Sequence, residues 1–223
     1  MTILVVAATH LEVAALAATL PGARVVVAGM GAVNTAHALT RELLQDRPEV
    51  VIQTGIAGAY VPSGLGVGDV ALATEEVYGD VGVLTPDGWL SAEEIGIPLA
   101  GATETRPARF NHFPLDDAMV ARAVAVGGNL VARSGRFLTL AQVTGVRRAG
   151  DALYDRFGAL CESMEGAAAA HVCALHDVPF LEVRGVSNLV ENRDRSRWRI
   201  AEAAEAAQRV VRRLVEQPQA WLA

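Results

Sequence analysis

The sequence predicts an α/β domain of three layers, a mostly parallel, mixed sheet with helices on both faces. Three observations predict it. Short runs rich in Val, Ile and Leu alternate with longer stretches of helical periodicity. The runs are apolar throughout rather than alternating, as strands buried on both faces are. The chain has 223 residues, 52% of them hydrophobic, which suffices for one sizeable core but not for two full domains. Residues 1–223 therefore read as a single domain.

Taken in order, residues 3–8 form a buried strand, and a helix follows from Glu12 to about Leu20. Residues 24–28 are a second strand, leading through Gly29-Met30-Gly31 into a helix that ends near Gln45. Residues 50–54 are a third strand, running into the loop Gly55-Ile56-Ala57-Gly58-Ala59. A strand over residues 70–74 follows a glycine-rich turn, and further strands read at residues 130–133 and 180–186. Helices read at residues 115–126, 163–176 and 197–215. Residues 77–113 break the rhythm. A stretch that long without clean periodicity is an ordered excursion over a site rather than a linker.

Charge excludes whole classes of function. Formal net charge is −6, against a phosphate-backbone binder, so no nucleic-acid partner is expected. All 19 basic residues are Arg, which removes pyridoxal Schiff bases and Walker-type phosphate loops together. Cys161 and Cys173 stand outside any CxxC or Cys/His cluster and read as reduced, buried thiols. The N-terminus lacks a basic region, and no apolar run approaches the roughly 20 residues of a membrane span. A soluble, cytoplasmic protein with no membrane partner is the expectation.

Several segments carry chemistry. Gly29-Met30-Gly31-Ala32-Val33-Asn34 opens a helix after a strand as a dinucleotide fingerprint does, but Asn34 replaces the third Gly, and a tight turn serves as well. His10, His37, His112, His171 and His176 have no metal-ligand spacing, so no metal is expected. Glu12 stands at the carboxyl end of the first strand, where open α/β sheets bind ligands, although position alone favours an exposed helix Glu. Glu165 lies among the small, apolar residues 163–170. Buried there, it needs donors, which two sugar hydroxyls or an arginine can supply. Asn188 ends the last strand and can both donate to and accept from the edge of a base, or serve as a plain turn residue.

In their order along the chain, Glu12, Gly29-Met30-Gly31, Thr54-Gly55-Ile56-Ala57-Gly58, Val67-Gly68-Asp69-Val70, Met164-Glu165-Gly166-Ala167-Ala168 and Arg184-Gly185-Val186-Ser187-Asn188 resemble the nucleoside phosphorylase/nucleosidase superfamily. The likeness covers nearly the whole chain. It is similar to the methylthioadenosine/adenosylhomocysteine nucleosidase branch, which places Asp where this chain has Asn188 and usually Ser where it has Ile56. Tyr78-Gly79-Asp80-Val81-Gly82, Thr85-Pro86-Asp87-Gly88-Trp89, residues 139–145 and the stretch from Asn188 to Trp198 instead resemble the family of futalosine hydrolases. These belong to the alternative menaquinone pathway, and their substrate is an inosine-like nucleoside with a carboxyphenyl group on its 5′ side.

The resemblance implies a phosphorylase-like fold and an N-ribosyl hydrolase needing no cofactor, assembled as a homodimer or larger homo-oligomer. Glu12 would deprotonate the attacking water. Glu165, with the Met164 backbone, would bind the ribose hydroxyls. Phe137 would stack on the base, the Leu138 backbone would read its edge, Ala57 and Gly58 would line it, and Asn188 would address the leaving group. A 6-oxo purine sets a carbonyl against a carboxylate, a mismatch of about 1–3 kcal/mol that an amide donor avoids, so Asn188 favours hypoxanthine over adenine. The substrate's own carboxylate calls for an Arg fork and an aromatic wall. Arg109, Arg136 and Phe110 are the candidates, with Arg106, Trp89 and Phe113 behind them. The absence of arginine from residues 54–59 favours water over phosphate as the nucleophile. Nucleosidases of 6-amino substrates, and a nucleoside-binding protein without turnover, are the alternatives.

Overall fold

The computed structural model describes residues 2–16, 20–104 and 106–222. Its chain runs β1 (Ile3–Ala7), β2 (Ala23–Val27), α1 (Ala32–Gln45), β3 (Val50–Tyr60), β4 (Val70–Tyr78), β5 (Gly82–Thr85), β6 (Gly88–Ser91), β7 (His112–Pro114) and α2 (Asp117–Gly127). It continues through β8 (Arg133–Thr139), α3 (Arg147–Phe157), β9 (Cys161–Ser163), α4 (Gly166–Leu175), β10 (Phe180–Val190) and α5 (Ile200–Glu216).

The first strand shows why there are three layers. β1 is buried throughout, yet Ile3, Val5 and Ala7 join one apolar cluster while Leu4 and Val6 join another. Successive strand side chains point to opposite faces, so both faces are covered. Met119, Val120 and Ala123 of α2 and Val210, Val211 and Leu214 of α5 close the first cluster. Leu39 and Leu43 of α1 and Ala169, Ala170 and Val172 of α4 close the second. α4 is apolar on nearly every side, as a helix enclosed by the rest of the fold must be.

Among the described residues the main sheet has eight strands. β2, β1, β3 and β10 lie side by side in parallel, with Val5 opposite Val25 and Ile52. β4 runs antiparallel to β10 and parallel to β8, β8 is parallel to β9, and β9 returns antiparallel to β3, so these five strands close on themselves. β7 pairs antiparallel with β4. The mixed, mostly parallel sheet expected from sequence is present, with a closure that strand patterns alone do not reveal.

Four expectations need correction. The helix expected from Glu12 shrinks to a 3-10 turn over His10–Val13, and residues 17–19 of it lie outside the described residues. The loop expected at residues 55–59 is strand, because Gly58 and Ala59 pair with both β9 and β10. The strand expected at residues 130–133 is a 3-10 turn over Gly128–Leu130 followed by β8, whose polar first half hid it. The helix expected from residue 163 begins at Gly166, since Cys161–Ser163 pair with β3 and β8 instead.

The described residues of the excursion over residues 77–113 are structured. It carries the β5–β6 hairpin and an Ala100–Arg109 bridge. Asn111, 1% exposed, closes its base by accepting from the Ala92 amide at 2.8 Å and donating to the Tyr78 and Val81 carbonyls.

Candidate active site

Glu12 is buried beside the carboxyl end of β1 and the middle of β3. Its Oε2 accepts from the Thr9 amide and hydroxyl, both at 2.9 Å, a reciprocal cap that fixes the short turn. Its Oε1 accepts from the Ile56 amide at 2.9 Å. The carboxylate thus bridges the end of β1 and the middle of β3. Gly55 is required for this: a Cβ there would overlap Glu12 Oε1 and stand 2.7 Å from the Arg184 guanidinium.

Glu165 reaches the same place from the start of α4. Its Oε1 accepts from the Gly31 amide at 2.9 Å, at the N-cap of α1, where backbone amides and the helix dipole favour a negative charge. Gly31 has φ +91°, a conformation open to glycine. The turn that resembles a dinucleotide fingerprint therefore presents its amide to a carboxylate of its own chain, while Asn34 folds back to donate to the Met30 carbonyl.

Arg184 ties these groups together. Only 1% exposed, it donates through Nε to Glu182 Oε1 at 2.7 Å and through Nη1 to the Ile56 carbonyl at 3.1 Å. Nη2 reaches Glu165 Oε2 at 3.4 Å. Burial alone would lower its pKa, but the charges of Glu182, Glu165 and Glu12 outweigh burial and hold it above its ordinary value.

Asn188 lies past a bulge in β10, opposite Gly58 of β3. Ser187 Oγ lies 2.8 Å from Asn188 Oδ1 and 3.2 Å from the Ala57 carbonyl, and Asn188 Nδ2 donates to the Leu189 carbonyl at 3.1 Å. With its oxygen held by Ser187, the carboxamide keeps one N–H for a ligand. Asn188 lines a cavity of about 420 Å³ with Val67, Trp198 and Arg199. Nearby, buried Glu162 accepts from the Tyr60 hydroxyl at 2.8 Å and the Thr144 amide at 2.5 Å, anchoring the loop after β8. Burial, only partly offset by these donors, pushes its carboxyl above the ordinary range.

The structure brings Glu12, Glu165, Ala57, Gly58 and Asn188 to one end of the sheet, with Met164 half-buried beside Glu165. It treats the base platform and the tail candidates differently. Phe137 is fully buried against Ala57, Ala71, Ala73 and Cys161, so its ring has no open face to stack on a base. Leu138 is equally buried, among Tyr60, Leu140 and Val190. Arg136 is committed to Glu75 and the Phe157 carbonyl. Arg109 lines a groove of about 480 Å³ with Glu49, Pro179 and Phe180, which lie at the amino ends of β3 and β10, away from Glu12. Phe110 is half-buried next to it in sequence, and Phe113 is enclosed by Tyr78 and His171. Arg106 donates to the Ala174 carbonyl, and Trp89 packs edge-on against Phe157. These residues do not converge within one chain.

Sequence reasoning missed Arg184 as the hub, together with Glu76 and Glu182. A signal for two of them was present. Glu182 and Arg184 stand two apart in an apolar strand, so they share a face and must be paired. Among the described residues no group of three or more His, Cys, Asp or Glu could hold a metal, and no helix is long and apolar enough to cross a membrane. Both cysteines are free and buried.

The Phosphorylase superfamily matches residues 6–216 of the chain. The futalosine hydrolase of Streptomyces coelicolor is 36% identical over 200 residues, covering 87% of this chain and 79% of that protein. That of Thermus thermophilus is 37% identical over 190 residues, covering 84% and 78%. The 5′-methylthioadenosine/S-adenosylhomocysteine nucleosidase of Anoxybacillus flavithermus is 36% identical over 174 residues, covering 77% and 70%. Among solved structures, the corresponding nucleosidase of Neisseria meningitidis in complex with methylthio-immucillin-A superposes with a TM-score of 0.81 at 21% identity, covering 96% of this chain and 98% of that one.

Proposed function

Because the chain belongs to the Phosphorylase superfamily, we propose that it hydrolyses the N-glycosidic bond of futalosine, releasing hypoxanthine and dehypoxanthine futalosine in menaquinone biosynthesis. The observation that carries this reading is the convergence of Glu12, Glu165 and Asn188 at the carboxyl ends of β1, β3 and β10. Futalosine hydrolases of 36% and 37% identity support the substrate.

Glu12 takes a proton from water as its oxygen bonds to C1′ of the ribose. The C1′–N9 bond breaks and its electron pair leaves with the base. Glu165 accepts from the ribose hydroxyls and, through its charge, stabilises the sugar as positive charge develops there. The Met164 backbone lies beside it. Asn188 donates to N7 or O6 of the base but has no proton to give up, so the leaving base takes its proton from water.

Water is the nucleophile rather than phosphate. Among the described residues the guanidinium that reaches Gly55 and Ile56 of β3 is that of Arg184, and its donors go to Glu182, Glu165 and a carbonyl. A phosphate there would meet Glu12 and Glu165, not a free cation. Ala57 and Gly58 line the base, and the strand end at Leu138 offers backbone rather than side chain, since Phe137 and Leu138 are enclosed. The protein works as a cytoplasmic homo-oligomer, and the exposed Met30, Val33, Leu84 and Ile97 are apolar residues that an interface could cover.

The nucleosidase relative at 36% identity supports a second reading, cleavage of methylthioadenosine, adenosylhomocysteine or aminofutalosine. Asn188 disfavours it, because with its oxygen held by Ser187 its free N–H faces an acceptor in a 6-oxo base but another donor in a 6-amino base. The test is free base released in phosphate-free buffer from futalosine, aminofutalosine, methylthioadenosine, adenosylhomocysteine and inosine. Hypoxanthine from futalosine is expected. Adenine from the thio-nucleosides, or base release only when phosphate is added, would refute the proposal.

A further inference from the structure

Two carboxyl groups lie beneath the site that the reaction above does not use. Glu76 of β4 and Glu182 of β10 are both 0% exposed. Glu182 Oε1 accepts from Arg184, and Glu76 Oε2 accepts from the Thr139 hydroxyl at 2.7 Å. That hydroxyl in turn accepts from the Ala167 amide at 2.7 Å. Each carboxyl has one oxygen left, Glu76 Oε1 and Glu182 Oε2, and neither has another donor. Both oxygens face the same point: a Cβ on Gly166 would overlap the two of them at once. The two carboxyl groups thus face each other at Gly166.

Two acceptors cannot make a hydrogen bond without a proton between them, and two bare carboxylates in contact inside a protein are strongly unfavourable. We propose that Glu76 and Glu182 hold one proton between them and act as the positioning pair of the site, keeping a single negative charge against Arg184 so that its guanidinium fixes Glu165 and the Ile56 carbonyl. The inference rests on the reading of Glu165 as the ribose-binding carboxylate.

The proton resides on Glu76, because Glu182 has Arg184 beside it. The groups facing Glu76 are Glu182 and Arg184 from β10, Cys161 from β9, Thr139 from β8 and Tyr78 from its own strand. Burial first, and then the charge of Glu182, push Glu76 well above the ordinary carboxylate range; Thr139 and Arg184 pull it back only in part. The chain Glu76–Glu182–Arg184–Glu165 thus runs from the middle of the closed strands to the carboxylate at the N-cap of α1.

Two measurements on the full chain test this. The first is melting temperature against pH for the wild type and Glu76→Gln, which needs no substrate. Folding takes up a proton at Glu76, so wild-type stability falls as pH rises from the unfolded carboxylate value toward the raised folded one. Glu76→Gln has no proton to take up, so the difference in melting temperature shifts in its favour as pH rises through that window. A difference independent of pH would overturn the shared proton.

The second is kcat and KM for futalosine with Glu182→Gln, Glu76→Leu and Glu76→Gln. Glu182→Gln keeps a carbonyl for Arg184 but moves the charge away from it, and kcat/KM is expected to fall about tenfold or more, mainly in kcat. Glu76→Leu should lose a similar amount, and Glu76→Gln should recover most of it by restoring the donor to Glu182. Unchanged kcat/KM in Glu182→Gln, or no recovery by the amide, would overturn the positioning role. Failure of wild-type turnover on futalosine would count against the substrate alone, since the melting curves stand apart from it.

Discussion

Beyond the carboxyl end of β1 and along the middle of β3 and β10, Glu12, Glu165, Glu182 and Arg184 are sealed from solvent, and each has partners that fix its direction. At the amino ends of β3 and β10, Arg109, Arg122 and Asp116 stand around an open groove. Both ends of the strands are rich in charge, and only at the first is that charge buried and held by specific partners. A buried charge must be held by specific donors, so its geometry is precise; a solvated charge is screened and holds little in place. Geometry near 0.5 Å is what a catalytic group needs, and burial of the kind seen at the first end is a way to obtain it.

The contrast can be broken in several ways. Glu12→Gln keeps an acceptor for the Ile56 amide but removes the base, so turnover should fall by about 10²–10⁴-fold with nucleoside binding retained. Parallel kinetics and calorimetric titration decide it. Arg184→Met leaves Glu165 and Glu182 buried without their cation and should cost about 3–5 kcal/mol of stability, read by denaturant unfolding. Gly55→Ala puts a Cβ into the Glu12 carboxylate, and displacement of about an ångström should lower kcat/KM by about 10²-fold while the fold persists by circular dichroism. On the opposite edge, Arg109→Ala should change kcat/KM by less than about twofold, because a rim charge on an open groove orders nothing at the site. A large loss there would mean that a second copy of the chain carries Arg109 into the site.

Much of this contrast was legible in the sequence at the buried edge and little at the open one. Glu12, Glu165 and Asn188 announced themselves because polar groups at strand ends or inside apolar runs need a reason to be there. Arg109, Arg136 and Phe110 carried no such signal; residue type alone proposed them, and within one chain they do not converge. Continuous apolar strands such as β1 and β3 were readable because burial on both faces leaves no polar positions. β8 begins Arg133-Ser134-Gly135-Arg136 and buries only its second half, and α3 buries little more than Gly150 and Phe157, so neither had a pattern to find. The pairing of Glu76 with Glu182 is set by the closure of five strands, a long-range property that local periodicity does not carry.

The most direct test of the central claim is the ratio of kcat/KM for futalosine over aminofutalosine, measured for the wild type and for Asn188→Asp. The account predicts a ratio well above one for the wild type, because the Asn188 amide donates to a 6-oxo base. It predicts a fall of about tenfold or more in Asn188→Asp, the equivalent of about 1–3 kcal/mol from an acceptor facing O6. A ratio that does not move between the two would contradict it, because Asn188 would then not be reading the base.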